Sequence, residues 1–209
     1  MRRLPGLAAL LLALAGCAST PPTLGDPAPG LKDERAEQEY QKTLERFTAR
    51  DEVYSTFDTV LFAATTFQTP AFREARARRL AAFQHLSREQ TEALLAKERA
   101  ESQQALEFLL GVHVNNPQHD DFDRPDSIWN VQLVTPEGMV EPASVVRVGR
   151  SNLDLRSYYP YLGTFWVAYR VRFNPLAPDG RPVIPPGTER VTLRLASSLG
   201  KAEMRVFSH

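Results

Sequence analysis

The chain has 209 residues, with 25 Lys plus Arg, 25 Asp plus Glu and a 43% share of hydrophobic residues. That is enough for one domain with a substantial core, and the charge balance excludes a global positive field of the kind nucleic-acid partners need. Cys17 is the only cysteine, so an intrachain disulfide and Cys-based metal or nucleophile chemistry are excluded, and stability has to come from apolar burial.

Arg2 and Arg3 open the chain. They are followed by the apolar run Leu4 to Leu14, interrupted by Pro5 and Gly6, which ends in Leu14-Ala15-Gly16-Cys17. A charged start, a short apolar stretch and small residues at its end read as a secretory signal, too short to span a bilayer. The Leu-Ala-Gly-Cys ending resembles the lipobox of bacterial lipoproteins. The resemblance implies cleavage before Cys17, a diacylglycerol thioether on its sulfur and acylation of the new amino terminus. Ala18 and Ser19 stand where an inner-membrane retention signal would carry Asp, which implies sorting to the outer membrane. Each buried methylene contributes roughly 0.8 kcal/mol and two or more chains hold stably, so such an anchor needs no membrane-spanning helix. After Cys17 no apolar run approaches the roughly 18 residues a span requires.

The organisation expected is therefore a signal peptide over 1–16, a lipidated Cys and Pro-rich tether over 17–31, and one domain over 32–209. Ala18 to Leu31 holds four prolines and two glycines and reads as an extended spacer. Lys32 to about Arg50 reads as a helix, with Asp33 as its N-cap and Ala36, Tyr40, Leu44 and Phe47 on one face. Val53 to Phe67 is dense in β-branched and aromatic residues, which favours a strand; a continuing helix is the alternative. Thr69-Pro70 marks a helix start, and Ser87 with Gln90 makes a capping-box signature for a second helix. The two form a helical hairpin over about 70–105, with a thin apolar stripe of Ala93, Leu94, Ala96 and Ala100 on the second helix.

From Leu106 the period changes to two. Strands are predicted over 106–114, 129–133, 144–148, 165–173, 191–195 and 202–206, separated by Thr135-Pro136-Glu137-Gly138, Pro178-Asp179-Gly180, Pro185-Pro186-Gly187 and Ser198 to Lys201. Each strand has one polar face, which suits two antiparallel layers. The predicted fold is mainly β: an immunoglobulin-like antiparallel β-sandwich of about seven strands, with an N-terminal helix and an inserted helical hairpin.

Three constellations stand out. His113, His119, Asp120, Asp121 and Asp123 could supply imidazole and carboxylate ligands to zinc or a harder cation, although their spacing matches no ligand pattern and Asp-rich loops commonly cap their own backbone. Alternation places Trp166, Arg170 and Arg172 outward, with Arg190, Arg194 and Arg205 outward on later strands. If those strands are neighbours, one sheet face carries a cationic patch suited to an anionic envelope polymer or an acidic protein surface. The Glu-rich hairpin (Glu74, Glu89, Glu92, Glu98, Glu101) could equally lie across that face and neutralise it. Tyr158, Tyr159 and Tyr161 form an aromatic loop that either contacts a partner or closes one end of the fold by packing. The chain has no Gly-x-Ser-x-Gly elbow and no glycine-rich phosphate loop. The expectation is a non-catalytic envelope lipoprotein, without a cofactor, that binds a protein or polymer and no nucleic acid. A metal-dependent enzyme or sensor built on the His113–Asp123 cluster is the competing reading.

Overall fold

The computed structural model describes residues 34–55 and 58–209. The expected signal peptide, Cys17, the tether and the Asp33 cap lie outside them. In chain order the elements are α1 (Glu34–Arg46), β1 (Thr48–Ser55), β2 (Asp58–Phe67), α2 (Pro70–Phe83), α3 (Arg88–Gln104) and β3 (Leu106–Val114). After a short 3-10 turn at Pro117–His119 come β4 (Asn130–Thr135), β5 (Gly138–Val140), β6 (Ser144–Arg150), α4 (Leu153–Tyr158), β7 (Val167–Phe173), β8 (Arg190–Ser197) and β9 (Gly200–Phe207). The protein is mainly β. One sheet has the order β1-β2-β3-β7-β6 and the other β5-β4-β8-β9, and every ladder is antiparallel.

The two sheets stack face to face. Phe108, Leu110 and Val112 of β3 and Val171 and Phe173 of β7 share one buried cluster with Leu193 and Leu195 of β8 and Met204 and Val206 of β9. Full burial of such side chains stabilises by about 1.5–3 kcal/mol each, well above the 0–1 kcal/mol typical of an exposed ion pair. The sheets also meet along their edges. The Glu203 amide of β9 donates to Asp51 Oδ2 of β1 at 2.6 Å, and Gly200 lies directly against Val53.

The five-stranded sheet carries a third layer on its other face. Tyr40 and Leu44 of α1, Phe47, Phe72 of α2, and Tyr159 and Leu162 after α4 bury Leu109 and Ala168. Close contact there requires Gly111, because a Cβ at that position would collide with Leu162 Cδ2 and approach Trp166 at 3.2 Å.

Several expectations hold. Thr69 caps α2 by accepting from the Phe72 amide at 3.2 Å. Ser87 and Gln90 form the reciprocal box at the start of α3, with contacts of 3.2 and 2.8 Å. The strand over 106–114 has the expected bounds.

Other expectations need correction. The described residues form nine strands, not about seven. The stretch 53–67 is not one strand: it is the second part of β1 and all of β2, paired from Thr48↔Thr66 to Ser55↔Asp58. Two strands of one hairpin share the composition of a single long strand, and no Gly or Pro lies between Ser55 and Asp58 to announce the break. β1 also takes Thr48 to Arg50 from the expected helix. On α1 the exposed residue is Ala36, while Glu37 and Gln41 are buried beside Tyr40 and Leu44. On α3 the one buried residue is Leu95, not the alanine stripe; Glu98 and Glu101 on that side pair with Arg73 of α2 at 2.9 and 3.4 Å. β7 starts at Val167, leaving Phe165 in a turn, and β6 runs on to Arg150 through a bulge between Arg147 and Gly149, where Gly149 has φ of 127°.

Glu37 is buried because it meets Arg79 of α2, with contacts of 2.7 and 3.0 Å. The Arg79 guanidinium also donates to the Ser157 carbonyl at 2.6 Å and lies over the rings of Tyr40 and Phe83, each at 4.6 Å.

Two stability measurements check this account. Glu37→Gln leaves a buried guanidinium without its counter-charge and is expected to cost about 3–5 kcal/mol in urea unfolding. Gly111→Ala should cost about 1–3 kcal/mol by overpacking against Leu162 and should shift tryptophan fluorescence through displacement of Trp166.

Candidate interaction surface

The sequence placed three groups of residues as candidates, and the fold treats each differently. The acidic-histidine group stitches a loop. Asp120 accepts from Arg147 Nη2 and from Tyr169 Oη, both at 2.6 Å. Asp121 accepts from Ser127 Oγ at 3.0 Å and from the Ile128 amide at 3.3 Å. The His119 carbonyl accepts from Trp129 Nε1 at 2.8 Å, the His113 ring stacks on Phe62, and Asp123 is exposed. These bonds hold Phe122 and Trp129 in the core between the sheets. Among the described residues no three His, Cys, Asp or Glu side chains converge on a common point for a metal ion.

The aromatic loop packs inward. Tyr159 is buried and donates to Gln68 Oε1 at 3.0 Å. The Tyr161 hydroxyl meets Thr66 Oγ1 at 2.7 Å. The half-buried Tyr158 contributes its carbonyl, which accepts from Tyr40 Oη at 2.7 Å. Burial pushes the phenols of Tyr40, Tyr161 and Tyr169 well above their ordinary range; the hydrogen bond and charge of Asp120 add to this at Tyr169, and the bond from Thr66 opposes it at Tyr161.

The arginine set is divided between two surfaces. Arg190, Arg194 and Arg205 project from β8 and β9 on the free face of the four-stranded sheet. There Arg194 pairs with Glu203 at 2.8 Å, and Arg190 lies over the Phe207 ring at 4.0 Å. Trp166, Arg170 and Arg172 lie on the helix-bearing face of the other sheet, so the single cationic face expected from alternation does not form. Nor do the hairpin's carboxylates neutralise these residues: Glu98 bonds Arg73 and Arg76 within the hairpin at 2.9 Å. Arg170 and Arg172 instead share Glu107 of β3, at 3.6 and 2.7 Å, and Arg73 reaches the same carboxylate at 3.4 Å. Arg73 is also bonded to Glu98 and Glu101, so the imbalance is one carboxylate, Glu107, shared by the two guanidiniums of Arg170 and Arg172.

Beyond β7 the helical layer ends, and here the fold exposes what alternation did not single out. Register puts Val146 of β6 beside Arg170. Val146 is 53% exposed and Val148 43% exposed. The Ser151 amide bonds the Trp166 carbonyl at 2.8 Å, which brings the start of α4 close to the turn before β7. Leu153 and Phe165 stand there 77% and 78% exposed. Nine large apolar side chains are exposed among the described residues, and four of them lie on β6, at the start of α4 and in the turn before β7; exposed apolar residues are the raw material of interaction sites. Arg150 ends β6 exposed, paired through its backbone with Val167 of β7. The sequence signal that could have found this margin is Val145-Val146 with Val148, an apolar run on both faces of a strand that was read as having one polar face.

A groove of about 600 Å³ between α2 and α3 is lined by Arg78, Arg88 and Arg99 with Leu86 and Leu95. Each arginine is already engaged by a glutamate, at 2.6, 3.1 and 3.5 Å, so all three of these guanidiniums are paired. No family model, no curated protein and no solved structure matches the chain.

The buried phenols carry a pH signature. Their protonated forms are favoured in the folded chain, so the stabilisation is complete below the ordinary tyrosine value of 10.0. It declines as pH rises past that value, where the unfolded chain gives up protons that the folded chain retains. Urea midpoints measured from about pH 8 to about pH 11 should fall at the alkaline end, and Tyr161→Phe should flatten the fall.

Proposed function

We propose that this protein is a lipid-anchored envelope lipoprotein, held in the outer membrane through Cys17, whose folded part is a non-catalytic binding or adaptor module. In this reading the stacked sheets are an immunoglobulin-like sandwich used as a scaffold, and the Pro-rich segment over 18–31 holds it off the bilayer. The lipobox-like Leu14 to Cys17 supports the anchor. The observation that carries the binding role is the exposed apolar margin of Val146, Val148, Leu153 and Phe165, rimmed by arginines in excess of their carboxylates. Leaving such residues in water costs burial energy that a contact with a partner recovers. No helix among the described residues is long and apolar enough to cross a membrane, so in this reading the acyl chains carry the attachment. The competing metal-dependent reading has no ligand group among the described residues to rest on.

Mass spectrometry of the protein from its native host tests the reading. The expected amino terminus is Cys17 carrying its thioether diacylglycerol and an amide-linked acyl chain. Cys17→Ser should move the protein from the membrane fraction to the soluble fraction with an unchanged thermal midpoint. An unacylated Cys17 in the native material, or membrane attachment that survives Cys17→Ser, would refute the anchor.

A further inference from the structure

The chain has three methionines, and two of them lie among the described residues in opposite settings. Met204 of β9 is fully buried in the core between the sheets. Met139 of β5 is 59% exposed. Register sets Met139 beside Val134 of β4, and Val134 beside Thr192 of β8, so Met139 stands on the free face of the four-stranded sheet. There Arg194 of β8 reaches across β4 and donates from Nη1 to Met139 Sδ at 3.1 Å. The rest of the guanidinium faces Glu203, whose Oε1 meets both Nε and Nη2 at 2.8 Å. One N–H group of a charged donor is thus committed to a thioether, a weak acceptor.

We propose that Met139 is a methionine-oxidation site for hydroperoxides, and that Arg194 captures the sulfoxide oxygen formed there. The exposed sulfur attacks one oxygen of hydrogen peroxide. The S–O bond forms as the O–O bond breaks, and the sulfur is oxidised by two electrons. The departing hydroxide takes the proton of the transferred hydroxyl and leaves as water. In a core a sulfoxide is a lesion, because it puts a polar oxygen into apolar packing. Met139 instead sits on an open face, and its new oxygen, a better acceptor than sulfur, forms within reach of an N–H already aimed at it. The flexible side chain can turn that oxygen to Nη1, and a bond from a charged donor is of the stronger kind. β5 has three residues and pairs with β4 alone among the described strands, so a clamp on Met139 holds a short edge. A dithiol-dependent reductase reverses the step: the sulfur regains two electrons, the oxygen leaves as water and the dithiol closes to a disulfide. None of this chemistry depends on an anchor at Cys17.

The test treats the full chain, in neutral detergent micelles, with dilute hydrogen peroxide. Peptide mass spectrometry should find one added oxygen on Met139 at least about tenfold sooner than on Met204, which peroxide reaches only when the sheets part. In the oxidised protein the Arg194 side-chain N–H protons, followed by NMR, should exchange with water about tenfold more slowly. The backbone amides over 138–140 should slow about threefold. Arg194→Gln leaves Met139 open to peroxide and removes the clamp, so its β5 amides should not slow on oxidation. Met139→Leu keeps the apolar bulk and should make both exchange readouts indifferent to peroxide. If Arg194→Gln misfolds, the Met139→Leu comparison and the Arg194 protons still decide the capture.

Oxidation of Met204 at the rate of Met139 would overturn the inference, as would a Met139 that resists peroxide. Unchanged exchange at Arg194 after oxidation would refute the capture of the oxygen. Faster amide exchange over 138–140 in the oxidised protein would make the sulfoxide an ordinary lesion. Equal slowing of those amides in Arg194→Gln would move the effect away from the guanidinium.

Discussion

β3 is a strand that must satisfy two cores at once, and the rest of the fold is arranged around that constraint. Its residues alternate between Phe108, Leu110 and Val112, which face the second sheet, and Glu107, Leu109 and Gly111, which face the helices. A helix can approach a sheet closely only where the sheet's side chains are small. Accordingly Ala64, Gly111 and Ala168, helix-facing positions at the centre, are linked in register across β2, β3 and β7. Where that face changes to Arg170, Arg172 and Val146, the helical layer stops. The bare margin of β6 thus follows from the same rule that packs the centre.

Within the helical layer α3 brings little apolar material, burying a single leucine. It is held to α2 and the sheet by a chain of arginines and glutamates running from Arg76–Glu98 through Arg73–Glu98 to Glu107, while Glu37–Arg79 separately ties α1 to α2. Buried charge of this kind contributes less net stability than apolar contacts of equal volume, but removing one member is costly because its partner is left dehydrated and unpaired. The equal numbers of acidic and basic residues are in part spent inside the molecule, and the overall balance therefore says little about any local surface.

Much of the architecture was legible because strands with one wet face alternate and helices announce their ends. Thr69, Ser87 and Gln90 fixed the hairpin's starts, and Leu106 to Val114 was read with its true bounds. The break between β1 and β2 was hidden because Ser55 to Asp58 carries neither Gly nor Pro. The buried side of α1 was misread at Ala36 because Glu37 is drawn in by a partner 42 residues away, a long-range contact that no local window contains. The same limit applied to the surface. Alternation gave the outward direction of Arg170, Arg172, Arg190, Arg194 and Arg205 correctly, but sheet membership, which divides them, is decided by strand order. The role of Asp120 depended on Arg147 and Tyr169 arriving from β6 and β7, which spacing within its own loop could not reveal.

The buried pair of Glu37 and Arg79 has a mechanical consequence. Any pull entering the described chain at Glu34 reaches this contact within the first turn of α1, followed one turn later by the bond from Tyr40 to the chain beside α4. The load passes sideways into α2, whose start is tied to β3 by the Gln68 amide donating to the Glu107 carbonyl and by Arg73 paired with the Glu107 carboxylate. Only after those contacts yield can tension unzip the β1–β2 ladder one residue at a time. The first helix therefore acts as a strain relief, like the clamp that keeps a cable's tug from its solder joint.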